Sequence, residues 1–236
     1  MRPLIRAALA LLVLAALAGC ASTKVTSRRA YNGAQLPRPD RILVENFGAT
    51  PSDVPPSSEL GAEAAGAEPQ TPEDIELGRK LGAEIAKQLT VDIQNMGLPA
   101  VQAGGQTPQP GDIVIKGNFY GIDEGSTGKR VLLGFGSGAT ELRTAVGVYQ
   151  MTPTGLRSLA GGTTNSGGGK TPGMVMPLAV FAATANPIGL IVVGATKVYG
   201  EKSGRSTIEG AAKRTADEIA AQIKVGVQKQ GWLPAA

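Results

Sequence analysis

The strongest constraint on this fold is one long amphipathic stripe. Leu77, Leu81, Ile85, Leu89, Ile93 and Met96 recur every four or three residues, which places them along one side of a helix. Thr71 can cap that helix, and Pro72 suits its first position. Glu73 and Asp74 favour the positive end of its dipole, and Gly97 ends it. The stripe reads as core packing, with a partner-binding face as the alternative.

Strand signals surround the helix. Asp40–Phe47 contains a short β-branched run bounded by Pro39 and Gly48. Leu98–Val101 reads as a short strand and Ile113–Tyr120 as a full one. Thr107–Asp112 and Asp123–Gly128 are turns. Thr140–Met151 alternates, with Leu142, Thr144, Val146 and Val148 on one face. Pro153-Thr154-Gly155 signals a hairpin, and Leu156–Thr164 returns as a strand. Ser206–Gly231 is a last helix, with Ile208, Ala212, Thr215, Ile219 and Ile223 on one side. Its Lys213, Arg214, Asp217 and Glu218 are expected in solvent. The expected class is α+β: a mostly antiparallel sheet with a long helix packed on it, followed by Ala/Gly-rich helical segments at the C-terminus.

The N-terminus reads as an address. Arg2 and Arg6 precede an apolar run, Leu9–Leu17, too short for an ordinary membrane span, and the run ends in Leu17-Ala18-Gly19-Cys20. This resembles a bacterial lipoprotein signal, with an ordinary secretory peptide and a chance Cys as the alternative: residues 1–19 would be removed, and Cys20 would carry diacylglycerol and an amide-linked acyl chain such as palmitate. Each buried methylene contributes about 0.8 kcal/mol, so two or more chains anchor stably. Ala21 follows Cys20 where no Asp stands. By the sorting rule of enteric bacteria this implies the outer membrane, facing the periplasm, rather than retention at the inner membrane. Cys20 is the only cysteine, so no internal disulfide is expected. The expected layout is a tether over 20–39, an α+β domain over 40–170 with a Pro/Ala-rich insert at 48–71, and an apolar segment plus helix over 171–236.

Composition narrows the chemistry. The chain has no His, which removes the commonest general base and metal ligand. Its net charge of +4 falls to about +2 once Arg2 and Arg6 leave, and no basic run interleaved with aromatics marks a nucleic-acid partner. Gly161–Gly173, GGTTNSGGGKTPG, ends in Gly169-Lys170-Thr171 like a phosphate loop. Thr164 stands where the first glycine belongs, and Pro172 follows at once, so nucleotide binding is not expected. The stretch reads instead as a flexible connection. Gly134-Phe135-Gly136-Ser137-Gly138 has the wrong spacing for a dinucleotide site and reads as a bent connection between strands. Asp112 and Asp123 are the acids that could hold a divalent cation. The expectation is no enzyme, no cofactor and no metal.

From Thr171 to Thr196 there is no charged residue. Pro177, Asn186 and Pro187 interrupt the run, leaving three readings: buried core, a hairpin touching membrane or partner, and a true span.

A resemblance rests on Ile113-Val114-Ile115-Lys116-Gly117, Ile122-Asp123-Glu124-Gly125, Lys129–Gly138 and Val146-Gly147-Val148-Tyr149. Together these resemble the bacterial lipoproteins of domain-of-unknown-function family 4410, over about Arg41 to Gln228. The resemblance implies an envelope lipoprotein and no catalytic residues. The first functional reading is a non-enzymatic module acting through an envelope protein partner, with Arg130, Gly134, Phe135, Gly136 and Gly138 forming or supporting the contact surface. The second is a membrane-active or secretion-related homo-oligomer using residues 174–199.

Overall fold

The computed structural model describes residues 22–53, 60, 70–123, 140–167 and 207–233. In chain order these give β1 (Ser22–Arg29), β2 (Ile42–Val44), α1 (Pro72–Asn95), β3 (Ala100–Gln102), β4 (Ile113–Asp123), β5 (Glu141–Thr152), β6 (Gly155–Gly167) and α2 (Ile208–Lys229), with a 3-10 turn at Pro51–Asp53. All six strands join one sheet in the order β1-β6-β5-β4-β2-β3. The fold class is α+β, as expected.

The sheet is mixed, and its connections explain why. β4, β5 and β6 pair antiparallel in sequence order, and β1 adds antiparallel to β6. Between β5 and β6 the chain reverses over Pro153-Thr154, with Gly155 at φ +121°. β2 instead pairs parallel to both β3 and β4. A parallel pair needs a crossover, and α1 supplies it between β2 and β3.

α1 forms as its sequence dictates. Thr71 Oγ1 accepts from the Asp74 amide at 3.2 Å, and the Asp74 carboxylate accepts from the Thr71 amide at 2.8 Å. The Thr71 amide, and after it the Thr71 hydroxyl donating to the same carboxylate at 2.8 Å, hold the Asp74 carboxyl below its ordinary pKa. Leu81, Ile85, Leu89 and Ile93 are buried, with Leu77 and Met96 partly buried beside them, so the stripe is core. Each such side chain contributes roughly 1.5–3 kcal/mol by leaving water. Gly97 takes φ +81° just after the helix.

Both helices lie on one face of the sheet and pack against each other. That face offers Ile42, Val44, Ile113, Ile115, Phe119 and Leu142, with Val146 and Val148 at its margin. The face predicted for β5 is therefore the helix-covered one. Phe47 is wedged between α1 and β4. A Cβ at Gly82 would strike the Phe47 carbonyl, and one at Gly117 would strike its ring.

Three expectations change. Ser22–Arg29, read as the start of a tether, is an edge strand. It lacks an apolar signal because hydroxyls bind it: Thr23 to Ser166 at 2.8 Å, and Thr26 and Ser27 to Thr163 at 2.7 and 2.8 Å. Residues 30–39 are also engaged, since Trp232 Nε1 donates to Leu36 O at 3.0 Å and the Leu36 amide donates to Gln230 Oε1 at 2.8 Å. The strand expected over 40–47 pairs regularly only at Ile42–Val44, because Phe47 turns to donate to Gly82 O of α1. β6 runs on to Gly167, so the expected flexible connection starts later than Gly161.

Candidate functional site

The site expected from sequence, Arg130 with Gly134, Phe135, Gly136 and Gly138, lies outside the described residues, in the chain between β4 and β5. Cys20 and residues 174–199 lie outside them too. Within them, a concavity opens on the sheet face opposite the helices.

Register builds it. One row crosses four strands: Arg29 on β1, Gly161 on β6, Gly147 on β5 and Lys116 on β4. The two central positions have no side chains, which leaves a bare backbone floor. The Tyr149 ring folds back along its strand over Gly147; a Cβ there would come within 2.6 Å of its hydroxyl oxygen. Arg29 reaches along β6, donating to Ser158 Oγ at 2.6 Å and to Leu159 O at 3.4 Å. At the other end of the row, Lys116 Nζ pairs with Glu45 at 2.7 Å. Leu60 closes one side by packing on Ala145 and Tyr120. The concavity measures about 290 Å³ and also borders Arg28 and Gly162.

The described lining consists of guanidinium, hydroxyl, phenol, aliphatic and backbone groups. These can hold a partner by hydrogen bonds, charge and ring contact. A second shallow concavity, about 500 Å³, lies at the C-terminal end of α1 between Arg38, Pro39, Asp40 and Gly97–Pro99. It is open, and Arg38 is already committed to Gly97 O at 2.6 Å.

Asp112 and Asp123 do not meet as a cation site. Asp112 precedes β4 and Asp123 ends it, so they sit a strand length apart. Asp112 is engaged elsewhere, accepting from Arg41 at 2.5 and 3.1 Å and from the Gln109 amide at 2.7 Å. Burial raises its pKa, but the Arg41 and Gln109 bonds and the Arg41 charge outweigh burial and hold the carboxyl below its ordinary value. Among the described residues no three Asp, Glu, Cys or His side chains gather as metal ligands, and no helix is long and apolar enough to cross a membrane.

Sequence reasoning missed Arg29, Gly147, Tyr149 and Gly161 as a group. The signal was present as glycine in two strands, Val146-Gly147-Val148 and Ala160-Gly161-Gly162, but it gains meaning only when the strands pair glycine to glycine.

The family described as Domain of unknown function (DUF4410) matches residues 42–185, more than half of the chain. The chain belongs to the DUF4410 family. The match starts at the first residue of β2 and stops before α2, so it is shorter than the resemblance drawn from Arg41 to Gln228. Among solved structures, two PelC dodecamers from Paraburkholderia phytofirmans are similar. One, a single-substitution variant, is 12% identical with a TM-score of 0.37, over 65% of this chain and 86% of that one. The other is 10% identical with a TM-score of 0.36, over 63% of this chain and 83% of that one. No curated protein matches the chain.

Proposed function

We propose that this DUF4410 member is a non-enzymatic lipoprotein, anchored through Cys20 in the outer membrane and facing the periplasm, that works by contact with an envelope protein. The observation that supports contact is the floor of Gly147 and Gly161, flanked by Arg29 and Tyr149 on the sheet face away from the helices. A bare floor bordered by a guanidinium and a ring suits a partner's backbone and side chains. Arg130 and Gly134–Gly138 remain candidates for partner contact on this reading.

Metabolic palmitate labelling with cell fractionation tests the anchor. The wild-type chain takes up label and pellets with outer membranes, whereas Cys20→Ala is unlabelled and soluble. An unlabelled wild-type chain sinks the anchoring. The contact surface is tested by Arg29→Glu, at the end of the row that borders the groove, in a folded protein. Loss of in-cell crosslinks supports it, and an unchanged crosslinking pattern removes this face from consideration.

A second reading has one observation behind it. β6 ends at Gly167 opposite Ser22, so the chain toward residues 174–199 leaves the fold at the end nearest Cys20. On this reading that segment forms a membrane-active oligomer. Its deletion then abolishes detergent-stable oligomers while the circular dichroism of the sheet persists.

A further inference from the structure

The two ends of the sheet are unlike. Register aligns Ser22, Gly167, Glu141 and Asp123 in one row across β1, β6, β5 and β4. Residues 1–21 enter the fold at this row, 124–139 depart after Asp123, and 168–206 depart after Gly167. Both helices also begin here. Gly78 of α1 lies against Ile122, while Ser166 and Arg214 link β6 to the first turns of α2 through Ala211 O and Gly167 O. The opposite end holds the Pro153-Thr154 turn, the turn before Asp112, and the C-terminal ends of both helices.

The second observation is a length. Ser22 is already in the sheet, two residues after Cys20. At about 3.3–3.6 Å per residue, two residues span roughly 7 Å at most. With the 20–39 tether gone, an acylated Cys20 would leave this end no room to stand off from the lipid. The third is chemical. The longest uncharged stretch of the chain, Thr171–Thr196, is connected through this same end. Exposed Lys24 lies two rows in, aligned through Asn165 with Arg143, where cations suit lipid phosphates.

We propose that the Ser22–Gly167–Glu141–Asp123 end of the sheet docks on the lipid surface, so that the strands stand on the membrane and the Pro153-Thr154 turn points away. The groove beside Arg29 would then face sideways, clear of the bilayer and open to a periplasmic partner. The orientation rests on the anchoring reading above.

Hydrogen–deuterium exchange on the acylated chain in phosphatidylethanolamine/phosphatidylglycerol vesicles tests it, with Cys20→Ala in solution as reference. The first amides of each helix lack intrahelical partners and exchange readily in water. Vesicle binding should slow the amides near Ser22–Lys24, Asp123 and Glu209 severalfold, and leave Gly111 and Thr154 unchanged. Protection at the Thr154 end, or at neither end of a bound chain, overturns the orientation. If the chain carries no acyl group, the anchoring reading fails separately. The mature chain is then coupled through Cys20, its one thiol, to maleimide-headgroup vesicles, and the same two ends decide the orientation.

Discussion

The Arg41–Asp112 pair shows how one contact sets a pH dependence. The Asp112 side chain is 7% exposed and accepts three donor contacts, two from Arg41 and one from the Gln109 amide. Its pKa is lowered in the folded state, so its contribution to stability is present above the unfolded value of about 3.9 and is lost as pH falls through the folded value. Asp112→Asn should cost about 1–3 kcal/mol at neutral pH, because Arg41 loses a charged partner. Urea midpoints followed from neutral pH to below pH 4 should show the difference between variant and wild type shrinking; a constant difference would remove the ionised carboxylate from the explanation.

Two glycines make a paired residue-scale test. Gly82 packs where a Cβ would strike the Phe47 carbonyl, whereas Gly226 of α2 has nothing within 4 Å of that position. Alanine gains about 1 kcal/mol of helix propensity over glycine at either site. Gly226→Ala should therefore stabilise by up to about 1 kcal/mol. Gly82→Ala should destabilise by about 1–3 kcal/mol despite the same gain, since main chain must move. Thermal melts of the two variants check both signs.

At the scale of elements, the seam between α2 and the sheet is polar in a way no periodicity displays. Ser166 Oγ donates to Ala211 O at 3.0 Å, but the hydroxyls of Thr144, Thr164 and Thr215 are buried without hydrogen-bond partners. An unsatisfied buried hydroxyl costs roughly 1–3 kcal/mol. Thr215→Val keeps the shape and removes the group, so it should raise stability by about 1 kcal/mol in denaturant titration; a fall of that size would mean the hydroxyl is satisfied. The seam also bears on sequence reading. Thr215 was placed on the inward side of the last helix by spacing, and it is fully buried. Arg214, expected in solvent, instead turns back to Gly167 O at 3.1 Å. Spacing fixes the side of a helix a residue occupies, but not whether a long side chain finds a carbonyl nearby.

At the scale of the molecule, β1 decides whether the chain after Cys20 is a leash or part of the body. As a leash it would be dispensable. As an edge strand it covers β6 through backbone pairing and three hydroxyl contacts. Removing Ser22–Arg29 should lower the melting temperature and expose the unpaired edge of β6, which invites self-association. Light scattering on the truncated soluble domain checks this; an unaltered melt and a monodisperse sample would restore the leash.

The local elements were legible from the residues alone. α1 was legible to its caps, because Thr71, Pro72, Asp74, Gly97 and the stripe all act within a few residues of one another. β4 and the β5–β6 hairpin were legible for the same reason: alternation and a two-residue turn are local signals. Whatever depends on distant segments emerged only when the strands paired. β1 became a strand by exchanging hydroxyl contacts with residues more than 130 positions away. The parallel pairing of β2 with β4, the meeting of Gly147 with Gly161, and the placing of Arg29 beside them are likewise facts of register. A glycine has no side chain to announce its neighbour, and a polar strand has no apolar period to announce its burial, so neither could be read before the sheet was assembled.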